Sequence, residues 1–303
     1  MQKVCSKKRM LAVIAFALAS SAAAAADLPS YKAPPPPPSP PPPLWTGFYV
    51  GLNAGGVWGN SNNVRISSAP IYNPAGLNPD IVLRAALSGS AIVGGNNNGG
   101  FIGGGQIGYN WQFYNGAAVG GIEADIQGIA SNNSSRNVWN AVVTLNGDPL
   151  GTVFNVSNRL DYIGTVRGRL GWLFTPTLLV YGTGGLAYGG VQSSVGMLQF
   201  RDVNLGSQLF GLTSGAYADT RVGWTAGGGL EWMFWPSWSA KVEYLYYDLG
   251  SVNYSAGVLV GSNFGFARYG VAPQISNRYN GNIVRGGVNY HFNWGAPPVV
   301  AKY

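Results

Sequence analysis

From Trp45 onward, apolar and polar side chains alternate along the chain with a period of two. The stretch RLDYIGTVRGRLGW shows the rule. Arg159, Asp161, Arg167 and Arg169 stand at odd positions, and Leu160, Tyr162, Val166, Leu170 and Trp172 at even ones. A β-strand points successive side chains to opposite faces, so the pattern predicts strands whose two faces meet different surroundings. Eight alternating stretches can be traced: 47–59, 101–113, 117–130, 156–174, 178–192, 218–234, 238–250 and 278–292. Each meets or exceeds the ~9–11 residues of a tilted transmembrane strand.

The links between these stretches sort into two kinds. YNGA, TPT and PS join the second to the third, the fourth to the fifth and the sixth to the seventh. These are hairpin turns. The other links, 60–100, 131–155, 193–217 and 251–277, are long and rich in Asn, Ser and Gly, and read as solvated loops. Short turns on one side and long loops on the other mark an outer-membrane barrel. The expected fold is all-β: an eight-stranded antiparallel up-and-down transmembrane β-barrel. Even positions of 159–172 would then face lipid, and odd positions the interior.

Aromatic residues supply an independent line. Phe48, Trp111, Phe113, Trp172, Phe174, Trp232, Phe234, Trp238, Tyr290 and Phe292 share the lipid-facing parity and fall at the short-turn end. That is a periplasmic girdle, where amphipathic rings favour the headgroup level. A looser outer ring comprises Trp58, Tyr162, Tyr188 and Trp224. Glycine runs such as GGGQIG (103–108) and GGGLEW (227–232) let a curved sheet bend and admit neighbouring rings.

Composition changes the picture at the ends. Lys3, Lys7, Lys8 and Arg9 precede MLAVIAFALASSAAAAA, which reads as a secretory signal at 1–26. The formal charge of +7 then falls to +3, and the electrostatic case for nucleic acid goes with it. Cys5, the single cysteine, lies within the signal, so the remaining chain forms no disulfide. APPPPPSPPPP, inside a leader at 27–44, should be an extended spacer that could touch the cell wall. The barrel is expected at 45–294 and a tail at 295–303.

As an ordered set, ADLP at the signal exit, WTGFYVGLNAGG, RLDYIGTVRGRLGW, LLVYGTGGLAYGGV, GWTAGGGLEW, VEYLYYDLG and VRGGVNYHF resemble a known family. It is that of the small alphaproteobacterial outer-membrane β-barrels, the porin-family or outer-membrane immunogenic proteins related to the OmpA transmembrane domain. The resemblance spans nearly all of 45–292. It implies a surface-exposed barrel in the cell outer membrane with structural, adhesive or immunogenic roles; haem binding is implied for some members only. Such barrels usually end on an aromatic that the barrel-assembly machinery recognises, whereas here NWGAPPVVAKY follows Phe292. No counterpart of the peptidoglycan-binding half of OmpA is expected.

Parity sends Glu123, Asp125, Arg159, Asp161, Arg167, Arg169, Arg221, Glu231, Lys241, Glu243 and Arg285 inward. An eight-stranded barrel is just wide enough for side chains to fill, and unpaired buried ions are costly, so these charges should pair. Antiparallel pairing about the 131–155 link puts Glu123 and Asp125 near the level of Arg167 and Arg169, and pairing about the Pro236-Ser237 turn puts Glu231 nearly opposite Lys241. A closed polar core and a narrow ion pathway both fit the set. GGGQIG matches a dinucleotide-binding pattern but lies within a strand, where that motif has no function. His291, the single histidine, reads as an interior or rim polar residue. No catalytic residue, cofactor or metal is expected. The expected partners are outer-membrane lipid and lipopolysaccharide, together with the assembly machinery. The expected role is structural, in envelope integrity and surface presentation; a small-solute diffusion channel and a loop-based binder of haem or a host surface are the alternatives.

Overall fold

The computed structural model describes residues 45–60, 63–71, 79–94, 99–131, 135–143, 149–201, 208–263 and 267–292. The expected signal, the Pro-rich leader and the tail lie outside the described residues. The elements, in chain order, are β1 (Gly47–Gly59), β2 (Val64–Ile71), α1 (Pro79–Ser88), β3 (Ala91–Val93), β4 (Gly99–Phe113), β5 (Ala118–Ser131) and β6 (Ser135–Val143). They continue with β7 (Pro149–Thr175), β8 (Leu178–Arg201), β9 (Gln208–Trp235), β10 (Trp238–Ser255), β11 (Leu259–Asn263) and β12 (Ala267–Phe292).

Eight of these strands form a closed antiparallel ring in the order β1-β4-β5-β7-β8-β9-β10-β12. β12 returns to β1, with Phe48 opposite Phe292 at one end of the seam and Gly59 opposite Gly281 at the other. Closure removes the unpaired edges an open sheet would carry, which is what lets strands cross a membrane. The hairpin at YNGA is built on Tyr114 and Asn115, both at positive φ, with the Gly116 N–H donating to the Phe113 carbonyl at 3.2 Å. Consecutive positive φ values give the turn twist that strand pairs favour.

The described parts of the long links are mostly strand and helix rather than solvated loops. β7, β8, β9 and β12 are 27, 24, 28 and 26 residues long, well beyond the stretches expected from the alternation. β6 continues the wall against the first part of β7, and β2 does so against β12. The upper wall has its own apolar interior. Val64, Ile66, Phe154, Val156, Val195, Met197 and Ile275 pack together as one buried layer. Above it, Val82, Ala85 and Ala86 of α1 pack against Leu150, Leu259 and Val271. Pro79 and Asp80 suit a helix start, where Pro lacks an N–H that would be unpaired anyway and a carboxylate favours the positive dipole end. The helix is pinned from the wall, since Gln199 Nε2 donates to the Ala85 carbonyl at 3.1 Å and to Ser88 Oγ at 2.7 Å.

Two bulges change which face a side chain meets. In β7 the pairing with β8 jumps between Leu160 and Tyr162. Below the jump the odd residues Ile163, Thr165, Arg167 and Arg169 are buried inside; above it the even residues Thr152, Phe154 and Val156 are. In β10 the jump falls between Asp248 and Ser251, with Gly250 at φ 78°. Burial passes there from odd Leu249 to even Val252. An extra residue in one strand flips every later side chain to the other face.

Candidate functional site

The charges of the lower lumen form one layer. Glu123 and Asp125 come from β5, Arg167 and Arg169 from β7, Glu231 from β9, Lys241 and Glu243 from β10, and Arg285 from β12; all are buried. Four acids thus meet four bases. Arg167 joins two walls. It pairs with Glu123, lies 2.9 Å from Asp125 Oδ2, and reaches Glu243 Oε1 at 2.8 Å. Its Nε–H donates to Thr165 Oγ1 at 2.8 Å. Arg285 bridges Asp125 Oδ2 at 2.8 Å and Glu243 Oε2 at 2.6 Å. Lys241 Nζ sits 2.9 Å from both oxygens of Glu123. β5 and β10 stand four places apart in the ring of eight, so that last bond spans the lumen.

A second group closes the periplasmic side. Arg169 pairs with Glu231 and donates to the Tyr49 hydroxyl at 3.0 Å, while its guanidinium lies 4.3 Å from the Tyr181 ring centre. Tyr49 in turn donates to Glu123 Oε2 at 2.6 Å. Glu231 Oε1 also accepts from Ser239 Oγ at 2.6 Å and from Asn289 Nδ2 at 2.7 Å. Tyr49 reaches its place because Gly108 faces it: a Cβ there would lie 2.4 Å from the phenol. Beneath this group Trp45 is fully buried with Val119, Leu179, Tyr181 and Met233, and its indole N–H donates to the Pro176 carbonyl at 3.1 Å.

Three residues assigned to the interior by parity do not join the layer. Arg159 lies above the β7 bulge and therefore faces outward, half-exposed and 2.5 Å from Asp161. Asp161 is itself the extra residue of the bulge and accepts from Gln192 Nε2 at 2.6 Å. Arg221 sits at the outer end of the barrel, where its Nη2 donates to the Ser251 carbonyl at 3.2 Å. Removing these three is what balances the layer.

The other expected residues are placed as follows. Phe48, Trp111, Phe113, Trp172, Phe174, Trp232, Phe234, Trp238 and Tyr290 are exposed on the outer face at the short-turn end, and Phe292 is half-buried there. Trp238 packs on Tyr290 at 5.2 Å and Tyr290 on Phe292 at 5.1 Å between ring centres. His291 is buried inside. Its Nε2 is 2.8 Å from Ser239 Oγ and 3.5 Å from Glu231 Oε1. A catalytic triad needs the acid on one ring nitrogen and the serine on the other. Here both face Nε2, above Trp45, whose ring lies 5.8 Å away.

Sequence reasoning missed Tyr49, Thr165, Tyr181, Ser239 and Asn289. All five are odd-numbered polar residues within strands, the same parity as the charges they serve, so the pattern that found the ions would have found them too.

The outer membrane protein beta-barrel domain family matches residues 11–292. The 31 kDa outer-membrane immunogenic protein of Brucella melitensis biotype 1 is 35% identical over 287 residues, covering 94% of this chain and 100% of that protein. The protein of the same name from Brucella suis biovar 1 is matched to the same extent. A 22 kDa outer membrane protein of Rhizobium leguminosarum bv. viciae is 32% identical over 153 residues, covering 50% of this chain and 54% of that protein.

Proposed function

The chain belongs to the outer membrane protein beta-barrel domain family, and from that premise we propose that it is a structural barrel with a closed lumen. Its role on this reading is envelope integrity and the display of the upper sheet at the cell surface, without catalysis. The observation that carries the reading is the pair of bonds from Lys241 to both oxygens of Glu123, made directly across the ring. A diffusion channel lines its wall with charges that leave the lumen open to water; these charges bond to one another across it. Buried apolar layers lie on either side, with Ile102, Ile163, Leu245 and Ile283 above and the Trp45 group below. An ion crossing would have to break several charge-assisted bonds and pass through dry packing, and both are costly in a low dielectric.

Planar-bilayer recording on the purified chain tests this. The expected result is no steady unitary current. A stable ohmic channel would overturn the closed-lumen reading in favour of small-solute diffusion.

A further inference from the structure

The β7 bulge leaves something on the outer wall. Arg159 would face the lumen if the parity of Arg167 and Arg169 held. The extra residue, Asp161, turns it outward instead. Bulges commonly re-aim a side chain at a functional position. Across the ladder Arg159 lies opposite Gln192, and Gln192 opposite Ala218; one row further, Ser157 lies opposite Ser194, and Ser194 opposite Ala216. These six residues, with Ser193 and Tyr217 between them along the strands, line a depression of about 380 Å³. The wall is low there because Ser157, Ser194, Ala216 and Ala218 are all small.

Its height is set by the rings just below. Tyr162 lies opposite Gly190, and Tyr188 opposite Gly164. Each ring crowds its glycine: a Cβ on Gly190 would lie 2.5 Å from Tyr162, and one on Gly164 would lie 2.3 Å from Tyr188. Rings on the outer face at this end mark the outer headgroup level. The depression therefore opens where the headgroups of the outer leaflet begin. Arg159, 40% exposed, has Asp161 beside its Nε, and Gln192 holds the other oxygen of that carboxylate. The guanidinium is a planar fork with five donors, matched to a phosphate. The serine hydroxyls, Gln192 and Asp161 are hydrogen-bonding partners for sugar hydroxyls.

We propose that this depression binds the phosphorylated saccharide headgroup of an outer-leaflet glycolipid, with a phosphate on Arg159 and the sugar over Ser157, Ser194 and Ala216. The acyl chains then run down the apolar wall past Leu186 and Val222, both exposed on the outer face. This assignment depends on the outer-membrane location and is independent of whether the lumen conducts.

The test uses the full chain purified in detergent and a bis-phosphorylated diglucosamine lipid, lipid A, as probe. Native mass spectrometry follows the bound fraction across a titration, and the mobility difference between unheated and boiled samples on gels reports folding. Arg159→Ala should weaken binding at least about tenfold, the loss expected for one charge-assisted contact. Ser194→Trp, which fills the floor and keeps the arginine, should weaken it similarly, so the test stands even if one variant fails to fold. Dephosphorylated lipid A should bind the parent more weakly and no longer distinguish it from Arg159→Ala. Folded variants that bind lipid A as the parent does would overturn the site. Displacement by inorganic phosphate at equal concentration, or equally tight binding of phosphatidylglycerol, would overturn the saccharide assignment.

Discussion

Lys241 and Glu231 are direct partners in the β9–β10 ladder, yet the lysine ammonium bonds to Glu123 on the far wall. The reason is occupancy. Arg169, Ser239 and Asn289 already hold the Glu231 carboxylate, and Lys241 is left to complete Glu123. Register neighbours and energetic partners therefore differ. Lys241→Ala or Glu123→Ala alone should cost roughly 3–5 kcal/mol, because each strands a buried charge. A double-mutant cycle should show a coupling of roughly 1–3 kcal/mol between 241 and 123, and a clearly smaller one between 241 and 231. Urea unfolding in micelles, followed by tryptophan fluorescence, measures both. A larger coupling for 241 with 231 would refute the cross-lumen assignment.

The β7 bulge is equally open to test. Deleting Asp161 removes the extra residue, so the strand above it must either keep its ladder and turn its side chains over, or lose pairing with β8. Turning over would put Arg159 inside and Phe154 and Val156 in water. Packing of the upper layer should fail while the lower barrel, whose register is set by β5 and β8 below the bulge, survives. Limited proteolysis of intact cells should then cut within 149–160, with heat-modifiable gel mobility retained. Resistance equal to the parent would mean that the bulge is dispensable.

That bulge also marks the limit of what the sequence discloses. The eight-strand ring and the aromatic girdle follow from side-chain parity and from the sorting of short and long links, which single residues carry plainly. A bulge leaves no mark in composition. Arg159 keeps its odd number, and only the pairing of Leu160 and Tyr162 with β8 shows that the face has changed. The upper wall was hidden for a different reason. Its outward positions, such as Asn155, Gly196 and Ser214, are polar or small rather than apolar, so they resemble those of loops. The alternation is nonetheless there: Phe154, Val156, Val195 and Met197 occupy the intervening inward positions.

α1 caps that wall, and its contact with the upper layer rests on small side chains. Ala85 is fully buried against neighbours that include Leu150, Leu259 and Val271. Ala85→Glu would bury an unpaired carboxylate there, and expelling the helix costs less than keeping it. The variant should expose 79–90 to protease at least about tenfold faster while keeping the ring, since α1 makes no ladder bond. Unchanged cleavage would show that the helix is not packed as described.

At the other end, Phe292 faces Phe48 across the closing seam and packs on Tyr290. Prolines stand at 297 and 298, and proline has no N–H to donate to a ladder. Phe292→Ala should therefore slow insertion into the outer membrane several-fold in pulse-chase fractionation, and deletion of residues 295–303 should not. The reverse outcome would place the assembly signal in the tail.

Arg167 should show how the layer and the lumen are linked. It touches Glu123, Asp125 and Glu243, so Arg167→Ala leaves four acids facing three bases. Lys241 still holds Glu123, and Arg285 still holds Asp125 and Glu243, but one negative charge is uncompensated. The loss should be roughly 3–5 kcal/mol. Adding Glu123→Ala restores three acids against three bases. The double variant should therefore be more stable than Arg167→Ala alone, with recovery incomplete because Lys241 loses its two contacts at 2.9 Å. Conductance should separate this layer from the rest of the closure. The packing around Ile102, Ile163 and Leu245 above it does not depend on Arg167, so the single variant should be less stable yet still pass no steady current. Steady conduction by Arg167→Ala would instead make the ionic layer the sole seal, and the apolar layers above it permeable to water.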